Sequence, residues 1–93
     1  MQEFYLNGAQ MKSKEAAHLH IKQALALPDY YGSNLDALWD CLASDFSEKI
    51  IYFRNLPAML DQLGEYGDAL LELFWEAAAA NSTIQIVIED EPA

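Results

Sequence analysis

Apolar and polar positions along this 93-residue chain follow two periods: runs or alternations typical of strands, and the three-to-four spacing typical of helices. The strand-type segments are Glu3–Leu6, Lys49–Phe53 and Thr83–Ile88, and helical spacing fills the segments between them. Strands joined through helices favour a parallel sheet with right-handed crossovers. The pattern therefore predicts an α/β fold, namely a small three-stranded parallel β-sheet packed with about four helices. The near-continuous apolar run at 49–53 further predicts a strand that is buried on both faces.

The first predicted helix begins after Ser13, a suitable N-cap, and runs to about Leu25. Pro28 is expected to end it, because proline disfavours the α conformation in the residue before it. His18 and His20 lie two positions apart in this helix, so they point to different faces and do not suit a shared metal ion. Both are interpreted as surface histidines.

Two more helices are predicted in the second half of the chain. Pro57 suits the first turn of a short helix that stops at Gly64. Asp68 is placed to cap a longer helix that Asn81 ends. No linker divides the chain, so residues 1–93 are expected to form one domain whose last residues, 89–93, are a frayed tail.

The helix predicted before the second strand follows an unusual concentration of aromatic residues. Ser33 or Asn34 can cap this helix, which runs to about Ala43. Its apolar stripe, which predicts the face that packs on the core, consists of Leu35, Leu38 and Leu42. Cys41, at the edge of that stripe, is interpreted as a small buried hydrophobe.

Asp36 and Asp40 project together from the opposite side of the same helix, because they are four positions apart. Tyr30, Tyr31 and Trp39 flank this pair and are of residue types that dominate the energetics of protein interfaces. These five residues indicate a protein-binding face. From the pattern alone the aromatic side chains could equally be core residues at a helix boundary, and both interpretations stay open.

Catalysis is a poorer interpretation of the same residues. Nothing around Asp36 and Asp40 indicates the burial that general acid–base catalysis uses. The chain has no glycine-rich phosphate loop, no Cys/His metal spacing and no local Ser-His-Asp arrangement. It is therefore expected to have no catalytic residues, no cofactor and no bound metal.

The net charge narrows the class of partner. The 15 acidic residues against 5 Lys and Arg give −10, which disfavours nucleic acid, since phosphates are bound by Lys and Arg. A basic protein is the natural partner, because complementary charge speeds association. The alternative is that the acidity only keeps a small protein soluble.

The cellular compartment follows from what the sequence lacks. One cysteine cannot form an internal disulfide. The N-terminus has no basic segment followed by a long apolar run, and no apolar stretch approaches the roughly 18 residues of a membrane span. We expect a cytoplasmic protein with no membrane partner that is monomeric when free.

Residues 24–42 read ALALPDYYGSNLDALWDCL, and this block closely resembles the barstar family of ribonuclease inhibitors. The resemblance extends more weakly through Leu6-Asn7-Gly8, Phe74–Ala77 and Ile84–Ile88. It implies a three-stranded parallel sheet packed by helices. It also implies an inhibitor that places an acidic helix, with the loop before it, into the active site of a basic, barnase-like ribonuclease or toxin. The positions that match family contacts are Tyr30, Asn34, Leu35, Asp36, Trp39, Asp40 and Glu76.

The resemblance also assigns roles to these positions. Asp40 would be the central anchor, standing where a substrate phosphate sits among basic groups. Asp36 and Glu76 would pair with further basic groups, and Tyr30 would cover a catalytic histidine.

Two positions just past the block depart from the family pattern of a glycine and a tryptophan. Ser44 and Asp45 stand there, which removes an aromatic contact and adds a negative charge at the edge of the partner surface. The identity of the target is therefore open. The alternative is an acidic adaptor or an antitoxin-like regulator whose partner is not a ribonuclease.

Overall fold

The computed structural model describes residues 1–89. In chain order the elements are β1 (Gln2–Asn7), a 3-10 turn (Gly8–Gln10), α1 (Lys14–Ala24), α2 (Leu35–Ala43), β2 (Lys49–Arg54), α3 (Leu56–Leu63), α4 (Glu65–Ala80) and β3 (Ile84–Glu89). Strand β2 lies at the centre of the sheet and pairs in parallel with β1 and β3. The predicted α/β fold, with three parallel strands and four helices, is confirmed.

The sheet is covered on one face, so the prediction that β2 is buried on both faces is wrong. Alternate residues of β2 face the helices and are buried, namely Lys49, Ile51 and Phe53. Ile50 and Tyr52 point the other way and are only half-buried. On this outer face the Tyr5 ring stacks on its register partner Tyr52, with ring centroids 5.0 Å apart. The continuous apolar run thus faces the buried core on one side of the sheet and a partly solvent-exposed surface on the other.

Helix α1 ends before Pro28, at a C-terminal cap that the sequence did not predict. Ala26 adopts a left-handed conformation, with φ of 54°. The backbone N–H of Leu27 then reaches back to the carbonyl of Lys22 at 2.9 Å. This is the hydrogen bond of a Schellman cap, in which the left-handed residue turns the chain away from the helix. Pro28 therefore shapes the following turn rather than ending the helix.

Gly64 both ends α3 and begins α4, so the predicted cap at Asp68 is wrong. Its N–H donates to the carbonyl of Leu60 at 2.9 Å, while its own carbonyl accepts from Asp68 at 3.2 Å. With φ of 59° and ψ of −129°, Gly64 has a conformation that side chains rarely allow. Asp68 lies in the first turn of α4, where a carboxylate is favourable to the helix dipole.

Strand β3 extends through Glu89, one residue into the predicted tail. The Nε of Arg54 donates to the Glu89 carboxylate at 2.5 Å, and the two residues are register partners on β2 and β3. Glu89 is thus the last residue of the strand and forms an ion pair there. The remaining residues of the predicted tail, 90–93, lie outside the described residues.

The surface location predicted for both histidines is wrong for His18, which is 1% exposed. Its Nδ1 lies 2.5 Å from the Tyr31 hydroxyl, and its Nε2 lies 2.5 Å from the Tyr66 hydroxyl. His20 is half-buried, and its Nε2 accepts a hydrogen bond from the backbone N–H of Asn7 at 2.9 Å. Both imidazoles therefore hold other segments of the chain against α1.

These burials predict that acid weakens the fold. Desolvation lowers the pKa of His18 and of His20 below the ordinary value of about 6.5 that they have in the unfolded chain. The unfolded state therefore binds more protons, so the free energy of unfolding is at its full value above pH 6.5 and falls as the pH drops below it. Urea unfolding at about pH 7.5 and about pH 5.5 measures this difference. An equal or higher midpoint at the lower pH would contradict it.

Candidate protein-binding face

Tyr30 stands at the tip of a tight turn in the loop between α1 and α2 (residues 25–34, the α1–α2 loop). The backbone N–H of Tyr31 donates to the carbonyl of Pro28 at 3.0 Å, which places Asp29 and Tyr30 at the two central positions of a β-turn. Pro28 is the first residue of this turn, and its carbonyl accepts the hydrogen bond that closes the turn. The Tyr30 side chain is 88% exposed and is therefore displayed to solvent.

Tyr31 has the opposite environment and is 7% exposed. Its hydroxyl bonds to His18, and burial raises the pKa of this phenol well above its ordinary value. Of the two interpretations open from the sequence, the core residue applies to Tyr31 and the displayed residue applies to Tyr30. Tyr31 anchors the loop, while its neighbour presents a surface.

Helix α2 begins at a side-chain cap that Asn34 provides. Its Oδ1 accepts from the backbone N–H of Ala37 at 2.7 Å, and its Nδ2 lies 3.4 Å from the carbonyl of Gly32. Ser33, the other candidate cap, is instead left-handed with φ of 56°. Asn34 thus fixes the angle at which the loop enters the helix. Its side chain therefore orients the loop in addition to being exposed on this face.

Asp36 and Asp40 lie exposed on the side of α2 that faces away from the core. Leu38 and Leu42 on the opposite side are buried, as the stripe predicted. Neither aspartate forms an ion pair with any basic group among residues 1–89. Their charge is therefore available to a partner.

A groove between α2 and α4 (the α2–α4 groove) continues this face, with a volume of about 290 Å³. Its lining consists of Leu35, Asp36, Trp39, Ala69, Glu72, Leu73 and Glu76. Half-buried Leu35 and Trp39 supply apolar walls, and three carboxylates stand around them. The structure thus brings together predicted residues of α2 and the distant Glu76 of α4. A groove of this kind suits a long cationic side chain, whose stem is apolar and whose head is charged.

Glu72 is a groove residue that the sequence interpretation missed. Residues Ala69, Glu72, Leu73 and Glu76 follow the spacing i, i+3, i+4 and i+7, so they share one face of α4. Once Glu76 was a candidate, this spacing was the signal that could have identified Glu72. Its carboxylate adds to those of Asp36 and Glu76 at the groove.

Ser44 and Asp45, just after the C-terminal end of α2, were expected to add a negative charge and to remove an aromatic contact. The structure changes both expectations. The Asp45 carboxylate accepts from the N–H of Ser47 at 3.0 Å and lies 3.1 Å from the ammonium of Lys49. The Ser47 hydrogen bonds, together with Lys49, lower its pKa to about 2. Its charge is therefore compensated within the chain. The adjacent Phe46 is 72% exposed, so an aromatic side chain is still displayed at this end.

Cys41 is half-buried rather than fully buried, and the desolvation raises the pKa of its thiol. A thiol that stays protonated is a poor nucleophile and a poor metal ligand. Residues 1–89 contain no group of three His, Cys, Asp or Glu side chains arranged to hold a metal ion. In the same part of the chain no helix is both long and apolar enough to cross a membrane.

Comparison with known proteins identifies a family and a curated relative. The family model described as Barstar (barnase inhibitor) matches residues 1–90. A protein of Bacillus subtilis (strain 168), named "Putative ribonuclease inhibitor YrdF", is 35% identical over 91 residues, covering 96% of this chain and all of the relative.

Proposed function

The chain belongs to the barstar family, and we propose that it is a cytoplasmic inhibitor that binds a basic ribonuclease and blocks the enzyme's active site. The observation that carries the proposal is the face of α2 with Asp36 and Asp40, which form no ion pair within residues 1–89, flanked by exposed Tyr30 and by the acidic α2–α4 groove. Family membership supports a ribonuclease as the class of partner, and the charge and shape of this face support the proposed mode of binding.

Asp40 is the proposed anchor in the enzyme's phosphate site. A ribonuclease holds the phosphate of its substrate with basic side chains, and a carboxylate presents the same kind of anionic oxygen to them. Hydrogen bonds between a carboxylate and arginine are short, charge-assisted and often bidentate. Asp40 lies at the start of the last turn of α2, so its backbone is held in the helix and little conformational freedom is lost when it binds.

The surrounding residues extend the contact on both sides of that anchor. Tyr30, displayed at the tip of its turn, offers a large ring to the enzyme surface at low cost in conformational entropy. On the other side, Asp36, Glu72 and Glu76 surround the α2–α4 groove, which is proposed to receive a basic side chain of the enzyme against Trp39. Asn34 and Leu35 complete the proposed contacts, while Tyr31 acts from behind the surface.

The net charge of −10 supports fast association with a basic enzyme. Opposite charges on two proteins steer their encounter and raise the association rate, an effect that salt screens. The protein is proposed to act by occupation alone, as a monomer with no catalysis of its own. No nucleic acid or membrane takes part.

The proposal is tested by titrating basic bacterial ribonucleases with the protein and measuring RNA cleavage. We expect activity to fall linearly and to reach zero near one molar equivalent for the cognate enzyme. Recovery of a non-nuclease partner from host lysate, with every ribonuclease left active, would instead favour an adaptor or an antitoxin-like regulator.

A further inference from the structure

One buried imidazole joins three separate parts of the chain behind the proposed binding face. His18 lies on α1, Tyr31 lies in the α1–α2 loop, and Tyr66 lies in the first turn of α4. Both ring nitrogens are 2.5 Å from a tyrosine hydroxyl, and His18 itself is almost completely buried. The loop that displays Tyr30 is thus connected through one ring to the helix that carries Glu72 and Glu76.

The exposures of the two tyrosines decide which of them donates its proton. A neutral imidazole offers one acceptor nitrogen and one N–H donor, so the two hydroxyls must have different roles. The Tyr31 hydroxyl has no other hydrogen-bond partner among residues 1–89, and a buried O–H without an acceptor is costly. Tyr66 is only half-buried, so its proton can go to water. Tyr31 therefore donates to Nδ1, and the Nε2–H of His18 donates to Tyr66.

The neutral ring is favoured by its surroundings. Desolvation lowers the pKa of His18 below its ordinary value. The groups that face it are phenols, and the ammonium of Lys14 lies 4.8 Å from the centre of the Tyr66 ring. A cation at that position adds no support for a second positive charge.

We propose that His18 and Tyr66 are positioning residues, which hold the α1–α2 loop in its binding conformation through the directed chain Tyr31 to His18 to Tyr66. This inference rests on the proposed function for its effect on binding, but the hydrogen-bond chain itself is a property of the free protein. Neither residue contacts the enzyme. Their effect is to keep Tyr30 and the start of α2 in place before the partner arrives, which lowers the entropic cost of binding.

The test uses Tyr66→Phe, which removes one hydroxyl and keeps the ring, with Tyr52→Phe on the outer sheet face as the matched control. In the free protein, ¹⁵N NMR is expected to find His18 protonated at Nε2 and not at Nδ1. Tyr66→Phe is expected to speed amide exchange at residues 28–33 selectively, relative to the core strands. Its dissociation from the ribonuclease is expected to be about threefold to tenfold faster, the effect of losing one hydrogen bond.

The outcomes separate this inference from the proposed function. The inference is overturned by an Nδ1-protonated His18, or by a Tyr66→Phe variant whose loop exchange and dissociation rate match those of Tyr52→Phe. A uniform rise in exchange throughout the chain would also overturn it, because that result indicates a purely structural role. If the protein binds no ribonuclease at all, the proposed function fails, while the tautomer and the loop exchange of the free protein still decide the inference.

Discussion

Replacing Asp40 with alanine is expected to abolish most of the inhibition. In the proposed complex its carboxylate is desolvated among basic groups that have no other anion to satisfy them. Truncating one partner of such a buried charge pair costs about 2–5 kcal/mol, or about 30-fold to several thousand-fold in affinity, because the opposing charges stay buried and unpaired. The loss should appear chiefly in the dissociation rate, which surface plasmon resonance or stopped-flow fluorescence measures.

The control for this variant is Asp61→Ala, which removes an exposed aspartate from α3 and changes the net charge equally. It is expected to slow association slightly and to leave dissociation unchanged. Equal small losses in the two variants would remove Asp40 from its proposed role as anchor. They would leave only a general electrostatic attraction between an acidic protein and a basic enzyme.

Replacing Phe74 with alanine is expected to cause one of the largest losses of stability among single changes outside the binding face. Phe74 is fully buried on α4, and its ring packs in a T-shaped arrangement with that of Phe53 on β2, at a centroid distance of 5.9 Å. Removing a buried phenylalanine costs about 3–5 kcal/mol, through lost burial and the cavity that remains. A domain of this size has only about 5–15 kcal/mol in total, so urea unfolding should detect the change at once.

The neighbouring Trp75 supplies the matched control, because it is 45% exposed on the same helix. Trp75→Ala is expected to change the free energy of unfolding much less than Phe74→Ala does. Comparable losses for the two variants would mean that α4 does not pack on the sheet through the face described here. Because Glu72 and Glu76 depend on that packing, the α2–α4 groove would then be in doubt as well.

The sequence predicted those parts of the fold that depend on local rules. The order of strands and helices follows from periodicity, and the caps at Ser13 and Asn34 follow from side chains that bond backbone N–H groups within the next turn. Gly64 as the stop of α3 is likewise local, since it depends on one backbone conformation. Such interactions involve residues only a few positions apart, so they can be predicted from the sequence.

Two of the errors arise where distant residues decide the outcome. Nothing near His18 in the sequence reveals that Tyr31 and Tyr66, 13 and 48 positions away, surround its ring. The partly exposed outer face of β2 was also missed because it depends on distant residues. A run of apolar residues does not indicate which faces of the sheet the helices cover. The error at the end of α1 is local instead, because Ala26 adopts a left-handed conformation without a glycine and the usual signal for a helix end was missing.

In the candidate site, too, local features were predicted from the sequence and features that depend on distant residues were not. Asp36 and Asp40 were predicted to share a face of one helix, which helical spacing alone determines, and both are exposed there. The two adjacent tyrosines could not be told apart from the sequence, because their opposite exposures come from a β-turn and from a contact with another helix. Glu76 was identified by resemblance alone, and its place at the groove beside Asp36 emerged only from the fold.

The central claim is that the carboxylate face of α2 occupies the phosphate-binding site of a ribonuclease, and competition with a mononucleotide tests it most directly. Binding of the protein to its target enzyme is measured at fixed ionic strength with increasing concentrations of a nucleoside monophosphate that fills the active site. If Asp40 and the nucleotide phosphate require the same basic groups, the apparent dissociation constant will rise in proportion to the nucleotide concentration once the site is saturated. An apparent dissociation constant that stays unchanged at saturating nucleotide would contradict the claim, since inhibitor and phosphate would then occupy separate sites.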